Sequence, residues 1–307
     1  MTETDPPVTP LPWRARRRVA PTGFRSPAVR HRAAVLGVDA ASVPGTGAAG
    51  RVTRADVDRA GAAVSAAVAP RGDEVVPFPR IRARAAPALV AAKRTAAHAL
   101  CVVDADYSAV DVARLASRAR WRAEEGFALT YLPFVARAFV DALREHPWCN
   151  ARVEGDEVVA SRAVHLGVAV DLDHQGLVVA VVRDAETRSL RGLARAIHDV
   201  ARRARDSALT PDDVGSGTFT ITNPGASGTW ISVPILPRPQ VAIVSTDGVS
   251  ARVVAEPGAD GRAGFGIRPM GHLCLSYDAA AVRAAEAAAF LRRAQEIIER
   301  RDWREEL

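Results

Sequence analysis

Gly271-His272-Leu273-Cys274-Leu275-Ser276-Tyr277-Asp278-Ala279-Ala280-Ala281-Val282-Arg283-Ala284-Ala285-Glu286-Ala287-Ala288-Ala289-Phe290-Leu291 is the stretch on which the reading of this chain turns. Its first third alternates apolar with small or polar residues, as a half-buried strand does. The remainder is rich in alanine, the strongest helix former. A strand therefore feeds a helix, and the pattern predicts a closing helix over 278–302 with Asp278 as its N-cap.

Upstream, strand and helix signals interleave. Strands are predicted over 99–106, 157–159, 164–171, 177–183, 218–223, 240–247 and 266–277, with turns at 155–156 and 173–176. Helices are predicted over 82–95 (interrupted at Pro87), 110–125, 132–143 and 190–208, the last capped by Ser189. This alternation implies one α/β domain over 81–307. A smaller unit over 23–60 precedes it. There Ser26 caps a helix that has Pro27 at its first position and Gly37 at its end. Gly45-Thr46-Gly47-Ala48-Ala49-Gly50 forms a loop, and Thr53 with Asp56 three residues on opens a second short helix. Residues 61–80 read as a flexible Ala, Gly and Pro linker, and 1–22 as a disordered, proline-rich leader.

Composition bounds the function. The chain has 307 residues and is 48% hydrophobic, enough for a sizeable core. Its net charge is +6, and Lys93 is the only lysine. The arginines spread over helix faces instead of forming one basic tract with aromatics, which argues against nucleic acid as a partner. No uncharged apolar run approaches the length of a membrane span, and the first residues lack the pattern of a secretory signal. Cys101, Cys149 and Cys274 have neither metal-ligand nor disulfide-framework spacing, so a reducing, cytoplasmic setting is expected, with no metal. Cys274 reads as a small buried hydrophobe.

The glycine-rich loop lacks a Walker lysine and a preceding strand, so it is not read as a phosphate cradle. Together Ser26-Pro27-Ala28-Val29-Arg30, Leu36-Gly37-Val38-Asp39, Val43-Pro44-Gly45-Thr46-Gly47 and Gly50-Arg51-Val52-Thr53-Arg54-Ala55-Asp56-Val57 resemble another module. It is the peripheral subunit-binding domain of the 2-oxo acid dehydrogenase acyltransferases. The resemblance implies a dehydrogenase component as partner, held by charge, with Arg30, Arg51 and Arg54 facing its carboxylates. The large domain resembles the catalytic domain of the same family. The matching runs are Lys93-Arg94-Thr95 with His98, Leu132-Pro133-Phe134, His146-Pro147 with Asn150-Ala151, and Gly167-Val168-Ala169-Val170-Asp171. Gly176-Leu177-Val178-Val179, Gly217-Thr218-Phe219-Thr220-Ile221-Thr222-Asn223 and Pro239-Gln240-Val241-Ala242-Ile243 continue the match. It implies a two-layer α/β fold like that of chloramphenicol acetyltransferase, and a homotrimer or a larger core.

The family's reaction moves an acyl group between a CoA thioester and a dihydrolipoyl thiol. It needs a general base near the thiol and a donor for the oxyanion. By position, Thr222 matches the oxyanion donor. The base is a histidine in an Asp-His-Arg-x-x-Asp-Gly motif, which aligns without gaps on Asp278. The histidine position is then Ala279, the arginine is Ala280, the second aspartate is Arg283 and the glycine is Ala284. Alanine cannot accept a proton, so the resemblance carries the fold without the family's base. The family's lipoyl lysine has no counterpart either, because Lys93 belongs to a catalytic-domain run, and no lipoyl attachment is expected on this chain. His98 and His272 are the alternative bases, each weighed against a packing role. His165, alternating with Val164 and Leu166 on a strand, is a weaker third candidate base, and His31, His146, His174 and His198 show no metal-ligand spacing.

Two functions are compatible with this pattern. One is a divergent acyltransferase that moves an acyl group from a CoA thioester to a thiol or alcohol, with an unusual base. The other is an inactive core or adaptor subunit that recruits a dehydrogenase component or co-assembles with an active relative, whose histidine it borrows.

Overall fold

A computed structural model describes residues 26–68, 74, 76–172, 176–257 and 263–307. The leader expected over 1–22 and the turn residues 173–175, His174 among them, lie outside the described residues. The chain divides into two compact units, Met1–Pro77 and Phe78–Leu307.

In the first unit α1 spans Pro27–Val35, and the Ser26 hydroxyl accepts from the Val29 N–H at 3.3 Å. Gly37 follows with φ +64°, a left-handed conformation that glycine adopts without strain. α2 spans Arg54–Val68, so the helix continues past residue 60 into the segment expected to be linker. Alanine-rich sequence favours this continuation, and Gly61 lets α2 approach Leu36, whose Cδ1 would stand 2.9 Å from an added Cβ. Val29, Ala33 and Val57 form the small core. The buried Asp56 carboxylate ties the loop to α2, accepting from the Thr46 hydroxyl (2.6 Å) and N–H (3.0 Å) and from the Thr53 hydroxyl and N–H (both 2.8 Å). These bonds, that of the Thr46 hydroxyl first, hold its carboxyl well below the usual carboxylate range.

The second unit opens with α3 (Arg80–Thr95), which runs through Pro87 as one helix. There follow β1 (His98–Asp106), α4 (Ser108–Glu125), α5 (Leu132–Glu145), β2 (Ala151–Glu154), β3 (Glu157–Ala160), β4 (Leu166–Asp171), β5 (Leu177–Val182) and α6 (Leu190–Arg205). β6 (Phe219–Thr222), β7 (Ala242–Thr246), β8 (Ser250–Pro257), β9 (Ala263–Asp278) and α7 (Ala284–Arg300) complete it. Seven strands form one sheet in the order β1-β9-β7-β6-β4-β5, with β8 paired to the outer part of β9. β4, β6 and β7 run parallel, and their neighbours β5 and β9 run antiparallel. One face buries Phe219, Ile221, Val244, Leu273 and Leu275 with residues of α4, α5, α6 and α7 in a single core. Phe139, Phe219 and Phe290 meet there with ring centroids 5.6–6.2 Å apart, joining α5, β6 and α7.

Three elements besides α2 differ from the sequence reading, and one of them is β2, which stands where no strand was expected. β8 was not anticipated: Val253, Phe265 and Ile267 of the β8–β9 hairpin are 70%, 81% and 72% exposed, so the strand carries no apolar-in pattern. α7 starts at Ala284, not near Asp278. The residues between form a tight turn, in which Ala281 and Val282 donate to the Asp278 carbonyl, both at 2.9 Å. Asp278 belongs to the end of β9, and its carboxylate anchors that turn instead of capping the helix.

Candidate functional site

Strand register separates the two positions that the family's chemistry would unite. Asp278 N–H donates to the Val241 carbonyl at the start of β7, whereas Thr222 pairs with Ser245 near the end of β7. Four residues of strand separate these levels, roughly 13 Å. Ala279 and Thr222 of one chain therefore stand at opposite ends of the sheet.

The Ala279 end is a pinned turn on which Ala279 itself is exposed. Asp278 is 2% exposed, and its carboxylate accepts from the Ala97 and Ala280 N–H groups, both at 3.1 Å, and from Arg238 Nη1 at 2.8 Å. Ala279 N–H bonds the Ala97 carbonyl at 2.8 Å. His98 lies beside this turn, with both ring nitrogens occupied. Nε2 accepts from the Leu236 N–H at 3.1 Å, and Nδ1 faces the Ala96 carbonyl at 3.2 Å. These contacts fit the tautomer with its proton on Nδ1, so the Nε2 lone pair is already engaged. Arg283 is exposed and pairs with Glu286 at 3.1 Å.

The Thr222 end is open. A cleft of about 750 Å³ lies beyond the carboxyl ends of the parallel strands β6 and β7, the usual ligand position in open α/β sheets. Tyr107, Tyr131, Leu132, Asn223, Trp230 and Asp247 are among its lining residues, and none of the lining residues is a histidine, lysine or cysteine. Thr222 is half-buried and immediately precedes Asn223 at the edge of the cleft.

Asp247 organises this end. It is 4% exposed and accepts from the Thr229 hydroxyl (2.7 Å), the Ser232 hydroxyl (2.8 Å), the Ser245 hydroxyl (3.3 Å) and the Cys274 thiol (3.4 Å). Burial pushes its carboxyl upward, but these hydrogen bonds outweigh burial and hold it below the usual range. Burial pushes the Cys274 thiol up to about 12, so it is a packed thiol and no nucleophile. His272 stands at the rim and is 8% exposed. Its Nε2 lies 2.9 Å from Asp104 Oδ1, and the Arg252 guanidinium lies 3.4 Å from each ring nitrogen. Arg252 also sits over the Trp230 ring, 5.2 Å from its centroid. A proton acceptor here would work only with Arg252 displaced.

Thr222 and His272 thus share one end, and His98 and Ala279 the other. The sequence reading missed Asp247, Tyr107, Trp230 and Arg252. Asp247 had one signal, a carboxylate just before Gly248 at the close of a predicted strand. Arg30, Arg51 and Arg54 are exposed in the first unit and pair with no carboxylate among the described residues.

Residues 70–304 match the family described as 2-oxoacid dehydrogenases acyltransferase (catalytic domain), and residues 24–58 match the e3 binding domain. The chain belongs to the 2-oxo acid dehydrogenase acyltransferase family. The lipoamide acyltransferase component of the branched-chain alpha-keto acid dehydrogenase complex of Pseudomonas aeruginosa is 34% identical, over 93% of this chain and 68% of that one. The dihydrolipoyllysine-residue acetyltransferase component of the pyruvate dehydrogenase complex of Mycobacterium bovis is 43% identical, over 58% of this chain and 32% of that one. The chain thus matches about a third of the mycobacterial acyltransferase's length and about two thirds of the other. Among solved structures, a probable dihydrolipoamide acetyltransferase from Listeria monocytogenes superposes with TM-score 0.70 at 29% identity, covering 75% of this chain and 95% of that one. The cubic core of the pyruvate dehydrogenase multienzyme complex gives TM-score 0.67 at 30% identity, covering 76% and 96%. The acyltransferase fold expected from sequence is the fold found.

Proposed function

We propose that this acyltransferase-family protein binds an acyl-CoA in the cleft beside Thr222 and transfers the acyl group only weakly by itself. The observation that carries this reading is the contrast within one sheet. The Thr222 end has a cleft with a hydroxyl at its edge, while the position that would hold the base is Ala279, exposed on a turn pinned by Asp278 and Arg238 beside the engaged His98. In transfer, Thr222 donates to the oxyanion, and the acceptor thiol or alcohol loses its proton without a positioned imidazole. The metal-free chemistry of acyl transfer suits a cleft lined by hydroxyl and aromatic groups. The partner module adds recruitment of a dehydrogenase component through Arg30, Arg51 and Arg54.

A second reading follows from the register. Because Thr222 and Ala279 lie at opposite ends of the sheet, a site that uses both positions takes two chains. Exposed Val253, Phe265 and Ile267 on the hairpin, and Trp230, Ile231 and Val233 beside the cleft, supply apolar surface for a homotrimer or a larger core. Co-assembled with a histidine-bearing relative, this chain would complete a working site with its Thr222 end.

The test is acyl transfer from acetyl-CoA to a small thiol. The chain alone is expected to bind acetyl-CoA and turn it over about 10²–10⁴-fold more slowly than a histidine-bearing family member. Family-like turnover by the chain alone would end the reading. Co-expression with a histidine-bearing relative whose own strand hydroxyl has been removed is expected to restore transfer. No gain over either chain alone would end the mixed-assembly reading.

A further inference from the structure

Tyr107 stands at the junction of β1 and α4 and lines the cleft, although the residue is 1% exposed. Its ring is fixed from several sides. It packs edge-on to Tyr131 with centroids 5.4 Å apart, and it covers Gly271, where an added Cβ would meet Tyr107 Cε2 at 3.0 Å. Its backbone N–H is held by the Pro269 carbonyl at 2.8 Å. The two neighbouring tyrosines differ at their hydroxyls. Tyr131 donates to Asp111 at 2.8 Å, whereas the Tyr107 hydroxyl donates to no oxygen among the described residues. The Tyr107 oxygen is not among the enclosed polar atoms that lack a partner, so it reaches the cleft that the residue lines. Here a donor of fixed position is left for whatever enters the cleft.

We propose that the Tyr107 hydroxyl donates a hydrogen bond to the thioester carbonyl oxygen of the bound acyl group, an assignment that rests on the acyl-CoA reading of the cleft. The surroundings select a neutral acceptor. Arg252 and Asp247 both line the cleft, but Asp247 is the one whose charge acts on the Tyr107 phenol, so a ligand carboxylate or phosphate there would be repelled. Asp247 is itself engaged by Thr229, Ser232, Ser245 and Cys274, so it does not compete for the ligand. Leu132, Val135 and Val249 make the adjoining wall apolar. Burial first, and then the nearby Tyr131, Asp247 and Cys274, raise the Tyr107 phenol above its ordinary range, which keeps the proton available to donate. A carbonyl oxygen satisfies all of these conditions. Tyr107 is then a ligand-contacting residue additional to Thr222, and it reads the acyl group itself.

Tyr107→Phe removes the hydroxyl and keeps the ring. Calorimetric titration of the full chain with acetyl-CoA and with free CoA separates the possibilities, with thermal melting to confirm the fold. The variant is expected to bind acetyl-CoA about three- to tenfold more weakly, as a neutral hydrogen bond requires, with CoA affinity unchanged. Equal acetyl-CoA affinity in the two proteins, or equal weakening for both ligands, would overturn the assignment. The short thioester S-acetyl-N-acetylcysteamine serves as second probe. If it binds and shows the same Tyr107→Phe loss while acetyl-CoA does not bind the wild type, the carbonyl contact stands and the coenzyme reading falls. If neither binds the wild type, both fall.

Discussion

The Ala279 end and the Thr222 end of the central sheet are built with the same device and used differently. Each has a buried aspartate that accepts several hydrogen bonds. At the Ala279 end, Asp278 draws in Arg238 and two backbone N–H groups, which pull the turn after β9 against the start of β1. At the Thr222 end, Asp247 draws in side-chain hydroxyls and a thiol, which hold residues 229–232 beside an open cleft. One aspartate pins a turn and the other props a cavity wall. The difference teaches that the turn after β9 is held by Asp278 and not by the side chain at 279.

That contrast can be broken at either aspartate. Asp278→Asn removes the partner of a partly buried arginine, and is expected to destabilise the second unit by about 3 kcal/mol. Thermal melting checks it, and a shift under about 2 °C would show that the turn does not depend on the carboxylate. Asp247→Asn is expected to cost less, about 1–2 kcal/mol, since its partners are neutral hydroxyls that re-pair readily. Its sharper signature is in pH. The folded carboxyl lies below its unfolded value, so its stabilisation is present above the unfolded value and is lost as pH falls through the folded one. Wild-type melting temperature should therefore fall on acidification below about pH 4, and Asp247→Asn should flatten part of that slope. A parallel pH dependence in the two proteins would contradict the role given to Asp247.

Much of the fold was legible because its signals are local. Ser26 and Ser189 cap the helices they were expected to cap, and the alternation through Thr218-Phe219-Thr220-Ile221-Thr222-Asn223 marks β6. The start of α7 was misread because Asp278 has the chemistry of an N-cap, whereas Arg238 and Ala97, distant in sequence, claim its carboxylate. The end of α2 was misread because the Ala, Gly and Pro composition of 61–80 suggested a linker, whereas the helix continues and Gly61 packs closely on Leu36. Thr222 and Ala279 were assigned from the resemblance alone. That they occupy opposite ends of the sheet was not legible, since register between β6, β7 and β9 is set by pairing between residues 23 to 35 positions apart. Nor were Tyr107 and Asp247 visible as a pair, because only the folded sheet brings β1 and β7 to the same cleft.

The proposed function turns on the side chain at 279. Ala279→His with Arg283→Asp restores the two side chains at their motif positions, and acyl transfer from acetyl-CoA to a small thiol by the self-assembled protein is the measurement. The rate is expected to rise about 10²–10⁴-fold over wild type, and adding Thr222→Val is expected to remove most of that gain. A folded double variant that binds acetyl-CoA but gains no activity, or a gain indifferent to Thr222→Val, would contradict the account.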